Sequence, residues 1–436
     1  MAAGPQDIEP AGRTRSRLKI LIGLGLALLA AVWWFAAAPR PENRTVYSLV
    51  VDPSTAQAIA NVDRSGDFAA GLERFPSALP HFDDAVFVQD GTTALVTAMD
   101  GKIWTVNVAT HAAKPLVDVP LMAYGIHGAR SDPDHVYFCA SHAHGGSHLA
   151  GAVGVYRLTL NDRSVQAVVL DVPATHADRD HPVVYADSNP NAPESRRDGT
   201  GPARRALASC DNLDVTEDGR RIYFTEPFDY ANASADDVVD EAISLARNGR
   251  LWRYDLDTGS TRLVAEGFHF INGVLHDLHP GQAREDSVLV TQTFMFRLTR
   301  FYLRGPKAGT SEVALDGLTG MVDGLDRDAQ GRIWLALYSE RGALLTWLHA
   351  HAWLKPLFMR APKSLLLRQK LRAGVVVVTP DGRTPLYAAM YQGPMLTSVA
   401  SYVAGPDGIY LADEPLGGPD TAQGLVRLRW PAALPH

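Results

Sequence analysis

The sequence predicts an all-β chain, a six-bladed β-propeller, carried behind an N-terminal transmembrane helix. Three observations lead there. Turns rich in Asp and Gly alternate with short β-branched or aromatic runs. The alternation recurs at roughly 40–60 residues, the period of propeller blades. An uncharged apolar run, 20–38, stands apart near the start.

Composition agrees with a large folded core. Of 436 residues, 46% are apolar and 20% charged, outside the range of disordered chains. Lys and Arg number 41 against 48 Asp and Glu, a net charge of −7. That balance argues against a nucleic-acid partner, which would meet a basic face. With 37 Gly and 28 Pro the chain is punctuated into many short elements, as β structure requires. Two cysteines, Cys139 and Cys210, exclude a disulfide scaffold and a cysteine-rich zinc module. Their spacing leaves open whether they form one bridge.

Residues 1–19 read as a cytoplasmic tail ending in Arg13, Arg15, Arg17 and Lys19. As a helix, 20–38 would span roughly 28 Å, enough for a bilayer core. Trp33, Trp34 and Phe35 lie near its far end, where aromatic rings favour the interface. The cationic flank stays inside, so the expectation is a single-pass signal-anchor with the C-terminal domain exported. A cleaved signal peptide is the rival reading, because Ala36, Ala37 and Ala38 supply small residues. Residues 39–45, opening Pro39-Arg40-Pro41, read as a stalk.

The propeller is expected over 46–432. Asp90-Gly91 leads into ALVTAM and Asp100-Gly101 into KIWTVNV. HVYFCAS and GVYRLTL follow, then RRIYFTEP after Asp218-Gly219 and RLWRYDL after Asn248-Gly249. RIWLALY, RTPLYAAM and IYLADE complete the series. The stretch VYSLVV (46–51) is expected to pair with the last blade and close the ring, which protects its edges. Two segments interrupt the pattern. Residues 174–209 are polar and read as an inserted surface loop. Residues 343–371 read as a helical insertion bearing Trp347, Trp353, Leu354, Leu357 and Phe358. It fits a lid, a helix lying on a membrane, or a helix packed on a blade edge.

Familiar catalytic motifs such as G-x-S-x-G and H-E-x-x-H are missing. Acidic and amide residues instead stand at the starts of inner strands: Asp83-Asp84, Asp211-Asn212, Asn272 and Asp323. Inner strands line a propeller's channel, so such residues converge from different blades. Oxygen donors gathered there suit a hard cation, Ca2+ above all. Asp211 and Asn212 point to opposite sides of a strand, and either could face the channel. His142, His144 and His148 in SHAHGGSH form a second cluster, suited to a transition metal, to proton transfer, or to no role.

Several stretches together resemble the strictosidine synthase-like proteins, in the superfamily of gluconolactonases and paraoxonases. They are DNLDVTEDGRRIYFTEP, NGRLWRYDLDTGSTRLVAEGFHFINGV, RFYLRGPKAGTSEV and MVDGLDRDAQGRIWLAL. The resemblance implies a six-bladed propeller with calcium in its channel. It assigns the metal to Asp83, to Asp211 or Asn212, and to Asn272 and Asp323. Asp83 stands one carbon short of the family's Glu, and the 211–212 pair is inverted. SHAHGGS resembles the loop that brings a catalytic histidine to the paraoxonase pocket. YQGPMLTSV (391–399) has no acid where plant strictosidine synthase carries the one used for its condensation.

The function these features imply is a membrane-anchored, calcium-dependent hydrolase of lactones, aryl esters or organophosphates. Asp323 would carry the chemistry and His144 would assist proton transfer. The alternative is a non-catalytic propeller binding a ligand or protein partner, and alkaloid-type condensation is the weakest reading. Expected partners are a small ester or lactone substrate and the membrane, with no nucleic acid.

Overall fold

The structure is a computed structural model. It describes residues 12–37, 45–88, 91–142, 149–175, 181–196, 201–229, 235–277, 284–362, 372–414 and 424–434.

Six antiparallel sheets, five of four strands and one of six, follow one another around a central channel. Blade 1 begins with the inner strand Phe82–Phe87, blade 2 with Met122–His127 and blade 3 with Leu213–Val215. Blades 4, 5 and 6 begin with Ile271–Asp277, Gly320–Arg327 and Tyr402–Gly405. Each outward step uses the turn chemistry seen in the sequence. Gly101, Gly219, Gly331 and Gly382 hold φ values of 68–78°, the left-handed region that glycine enters without strain. Apolar cores lie between neighbouring blades; Trp252 and Trp334, both fully buried, fill two of them.

Ring closure departs from expectation. Leu72–Phe75, not 46–51, supplies the outer strand of blade 6, pairing Leu72 with Leu428 and Phe75 with Leu425. VYSLVV instead runs unpaired in any sheet across the top of the molecule. Tyr47 N–H donates to Ser244 O (2.9 Å) and Leu49 N–H to His349 O (3.0 Å). Val46 packs against the helices, while Leu49 and Val51 pack on strand residues of blades 4 and 5.

The helices are α1 (Gly12–Ala37), α2 (Ser54–Asn61), α3 (Ser65–Gly71), α4 (Ala235–Ser244), α5 (Ala343–Ala350) and α6 (Lys355–Phe358). Among the described residues no helix is long and apolar enough to cross a membrane. The side chains of α1 are described for 19–33, and those of Ile20, Leu21, Leu24 and Leu28 are 59–67% exposed. Helices α4, α5 and α6 pack together on the face where the inner strands begin, with Val239, Ile243, Leu348 and Met359 between them. They form a cap on that face rather than a packing on a blade's outer edge.

The 174–209 insertion is more ordered than a surface loop. Val183–Val184 and Glu194–Ser195 add to the outer strand of blade 3, and Arg204–Ala206 pairs with Asp171–Pro173. The added strands cover an edge that would otherwise present free backbone groups. A buried ion network fastens the insertion inward. Glu226, fully buried, accepts both guanidinium nitrogens of Arg205 at 2.7 Å, Trp252 Nε1 at 2.9 Å and Ala208 N–H at 3.1 Å. Arg250, also fully buried, pairs with Asp229 at 3.0 Å and donates to Thr175. Cys139 of blade 2 and Cys210, just before blade 3, form a disulfide.

Candidate functional site

The inner strands enter the channel at the capped face, and their first residues carry the polar groups expected there. Asp83 and Asp84 open blade 1, and their carboxylates diverge because neighbours on a strand face opposite ways. Asp84 is held by protein groups: Ser401 Oγ donates at 2.5 Å, Ala85 N–H at 2.8 Å and Ile126 N–H at 2.9 Å. It thereby ties blades 6, 1 and 2 together. Burial raises its pKa to about 6 against those hydrogen bonds. Asp83 has the opposite surroundings. Burial, then the charges of Glu414, Asp323, Asp84 and Asp211, push its carboxyl well above the usual range.

Asp323 opens blade 5. It lines the channel, partly exposed to the bore yet deep within the fold. Burial first, then Asp211 and Glu414, raise its pKa well above normal, against a hydrogen bond from Asn272. Its backbone is fixed by Thr291 Oγ1, which donates to Asp323 O at 2.8 Å. The strands approach each other closely here. A Cβ on Gly273, next to Asn272, would lie 2.6 Å from Asp323 O, so only glycine lets the two blades meet. Gly324 is explained in the same way: a Cβ there would lie 2.9 Å from Ala400 O.

At blade 3 the Asp211 carboxylate belongs to the charge cluster of Asp83 and Asp323. The Asn212 side chain packs toward blade 2, its Cγ 3.0 Å from where a Cβ on Gly125 would sit. Thr225 fixes the pair: its N–H donates to Asn212 O (3.0 Å), and Asn212 N–H donates to its Oγ1 (3.1 Å).

Glu414, 3% exposed, is the member that sequence reasoning missed. The carboxylate of Asp413 accepts from the backbone N–H and hydroxyl groups of Thr397 and Ser398. That fixes the strand end so that the next residue acts on the channel carboxylates. An acidic pair directly after IYLA was the available signal, the mirror of Asp83-Asp84. His144 and His148 lie outside the described residues. His269 is buried and its Nδ1 is 2.5 Å from Leu245 O; burial, then Arg297, lower its pKa to about 3. Gln292 is structural, its amide bridging His269 N–H and Thr299 Oγ1.

Asp83, Asp211, Asn272, Asp323 and Glu414 are thus an oxygen-only set from blades 1, 3, 4, 5 and 6. Its chemistry fits a hard cation rather than zinc. Among the described residues, no three His, Cys, Asp or Glu are drawn together tightly enough to hold an ion as they stand. A cavity of about 720 Å³ opens elsewhere, between the insertion and blade 3, lined by Asp187, Asn189, Glu194 and Arg196.

Farther down the channel Asp214 Oδ2 accepts the His276 N–H at 2.6 Å and lies 2.6 Å from His276 Nδ1, while His127 Nδ1 lies 3.2 Å from Oδ1 and accepts the Val215 N–H. Burial works against a charged His276, but Asp214 outweighs it and the pKa rises to about 9. Asp214 is lowered: burial opposes, and the two histidines prevail. The His276 contribution is therefore fully present below its unfolded pKa near 6.5 and is lost as pH rises through about 9. The Asp214 contribution is present above the ordinary carboxylate pKa and is lost as pH falls through its lowered value. Between pH 7 and 10 the wild type should lose up to ~3 kcal/mol of stability from this pair. His276→Gln should flatten that decline in melting temperature against pH; an equally steep profile would place the titration elsewhere.

Residues 211–306 match the strictosidine synthase family. The adipocyte plasma membrane-associated protein of Salmo salar is 31% identical over 160 residues, covering 36% of this chain. Strictosidine synthase-like protein 13 of Arabidopsis thaliana is 32% identical over 169 residues, covering 38% of this chain. These alignments span 37% and 39% of the relatives' own lengths. A gluconolactonase from Xanthomonas campestris superposes with a TM-score of 0.50 over 91% of this chain and 99% of its own, at 13% identity. That likeness concerns the fold alone. By sequence, then, the chain is similar over about a third of its length to strictosidine synthase-like and adipocyte plasma membrane-associated proteins, and its fold is a six-bladed propeller.

Proposed function

We propose that the protein is a calcium-dependent hydrolase of lactones, aryl esters or organophosphates, held at a membrane by α1 with its propeller exported. The observation that carries this reading is the convergence of Asp83, Asp211, Asp323 and Glu414, beside Asn272, at one end of the channel. Burial and the charges of Asp211 and Glu414 raise the pKa of Asp83 and of Asp323, and a divalent cation offsets that repulsion. These five residues would hold the ion, which when bound supplies a Lewis acid to polarise a carbonyl or phosphoryl oxygen. Asp323 is the group for attack on substrate or for taking a proton from water, since it is partly open to the bore. Asn272, hydrogen-bonded to it, orients the carboxylate. His144 keeps the role of assisting proton transfer in this reading.

Export is supported by two features. The apolar run of α1 follows a cationic flank. The Cys139–Cys210 disulfide belongs to an oxidising compartment. Alkaloid-type condensation draws no support, because 391–399 lacks an acid. A non-catalytic binding propeller is the second reading. It is favoured by the spread of the channel donors, none of which form a tight triad among the described residues.

Calcium should raise the melting temperature, because the ion would bind the folded channel only. At a hundredfold excess over Kd the gain is ~2.7 kcal/mol. Asn272→Ala and Asp323→Ala should each remove the shift. A shift that survives both substitutions would place calcium away from the channel.

A further inference from the structure

The cap formed by α4, α5 and α6 has a face that the fold leaves uncovered. Leu348, His349, Lys355 and Met359 point inward and are at most 8% exposed. Leu344, Trp347 and Leu357 are 41–46% exposed, and Trp353 is 76% exposed. Two tryptophans and two leucines on a short helical segment are the composition of an interfacial helix, with amphipathic rings at headgroup level.

Charge points the same way. From Arg341 to Pro380 the sequence has no Asp or Glu, although the chain holds 48 of them. Arg360, Lys363, Arg368 and Lys370 follow the tryptophans within that stretch. A basic, acid-free stretch that follows the exposed aromatics in sequence complements anionic lipid.

The position of the cap completes the case. Residues 46–51 run between α4 and α5, and Lys355 Nζ donates to Tyr47 O. Seven residues separate Ala37, the end of α1, from Thr45. Even fully extended they reach roughly 30 Å. A bilayer holding α1 therefore lies within that distance of the cap.

We propose that Trp347, Trp353, Leu344 and Leu357 dock the cap onto an anionic bilayer surface. The proposal rests on the reading of α1 as an anchor. It goes further in fixing orientation: the cap sits at the end of the channel where Asp83, Asn272 and Asp323 lie, so that end faces the headgroups. The substrate class follows. An ester or lactone that partitions into the bilayer reaches the channel mouth from the membrane side.

The test uses the full chain in vesicles of phosphatidylcholine and phosphatidylserine. A spin label is attached at Ala350→Cys on the cap. A second is attached in a separate protein at Ala109→Cys, a turn at the opposite end of blade 1. The oxygen-to-nickel accessibility ratio at 350 should be several-fold above that at 109. Adding Trp347→Ser and Trp353→Ser should bring it down to the value at 109. Flotation with the vesicles reads the anchor separately. If the chain floats while the label at 350 stays as wet as that at 109, cap docking is wrong and the anchor stands. If the chain does not float, the anchor is wrong, and a wet label at 350 overturns docking as well. A label at 350 shielded from both reagents would mean a protein partner covers the cap, and that too overturns the proposal.

Discussion

Glu226→Ala should destabilise the protein by ~3–5 kcal/mol, the loss expected when one member of a buried ion network is removed. The carboxylate is fully buried and accepts hydrogen bonds from Arg205, Ala208 and Trp252. Arg250, 3.9 Å away and equally buried, would keep Asp229 but lose a compensating charge. Total stabilities of domains are ~5–15 kcal/mol, so a large part would vanish. Glu226→Gln keeps the volume and the Trp252 bond and should lose less. Denaturant midpoints for the two variants would check this. Equal losses would mean that shape rather than charge matters. Thr225, the neighbour of Glu226, holds the Asp211-Asn212 pair, so calcium affinity should weaken in Glu226→Ala too.

Asp323→Asn should lower turnover by ~10²–10⁴-fold if the carboxylate takes part in the chemical step as base. The substitution keeps size and one oxygen donor but removes the charge. With the cation bound, the carboxylate is expected to stay ionised near neutral pH, because a positive neighbour favours the charged form. Turnover of lactones, aryl esters and phosphotriesters should be measured beside calcium affinity in both proteins. A fall in turnover far beyond the fall in affinity assigns Asp323 to the chemistry. Equal falls would make it a ligand only. If the wild type turns over none of these substrates, the binding-propeller reading replaces the hydrolase.

The blades were legible because each strand carries two local signals at once, a glycine turn and a β-branched or aromatic run. KIWTVNV, after Asp100-Gly101, and RIWLALY, after Gln330-Gly331, hold both and appear as central strands. Leu72–Phe75 holds neither: LERF has two charged residues and follows directly on α3. Its strand conformation comes from a partner more than 350 residues away, which no local pattern reports. VYSLVV misled for the complementary reason. Its β propensity is real, but its backbone bonds go to helix ends, Ser244 and His349, rather than to a strand. At the channel, residue types placed Asp83, Asn272 and Asp323 at the starts of their blades. What residue types could not show was the difference between Asp83 and Asp84. That difference depends on Ser401 and Ile126, contributed by two other blades. Glu414 was hidden because an acid after a strand is ordinarily a turn former. The Cys139–Cys210 bridge needed the blades' spatial order, since spacing alone carries no pairing.

The pairing of Leu72–Phe75 with Leu425–Leu428 also sets a timetable for synthesis. The ribosome adds ~5–20 residues per second. The first of these strands therefore waits roughly 20–70 s before its partner is made. During that interval five blades can form pairwise, each from contiguous chain, while the sixth has no outermost strand. The nascent ring is an open arc whose two ends, at blades 1 and 6, expose Leu79, Phe82, Val403 and Tyr410, residues that the finished core buries together. Contacts at so large a sequence separation close last and slowly. Newborn molecules are thus most vulnerable to capture by one another until Leu425–Leu428 has been made, and a holding chaperone would be of most use to them then.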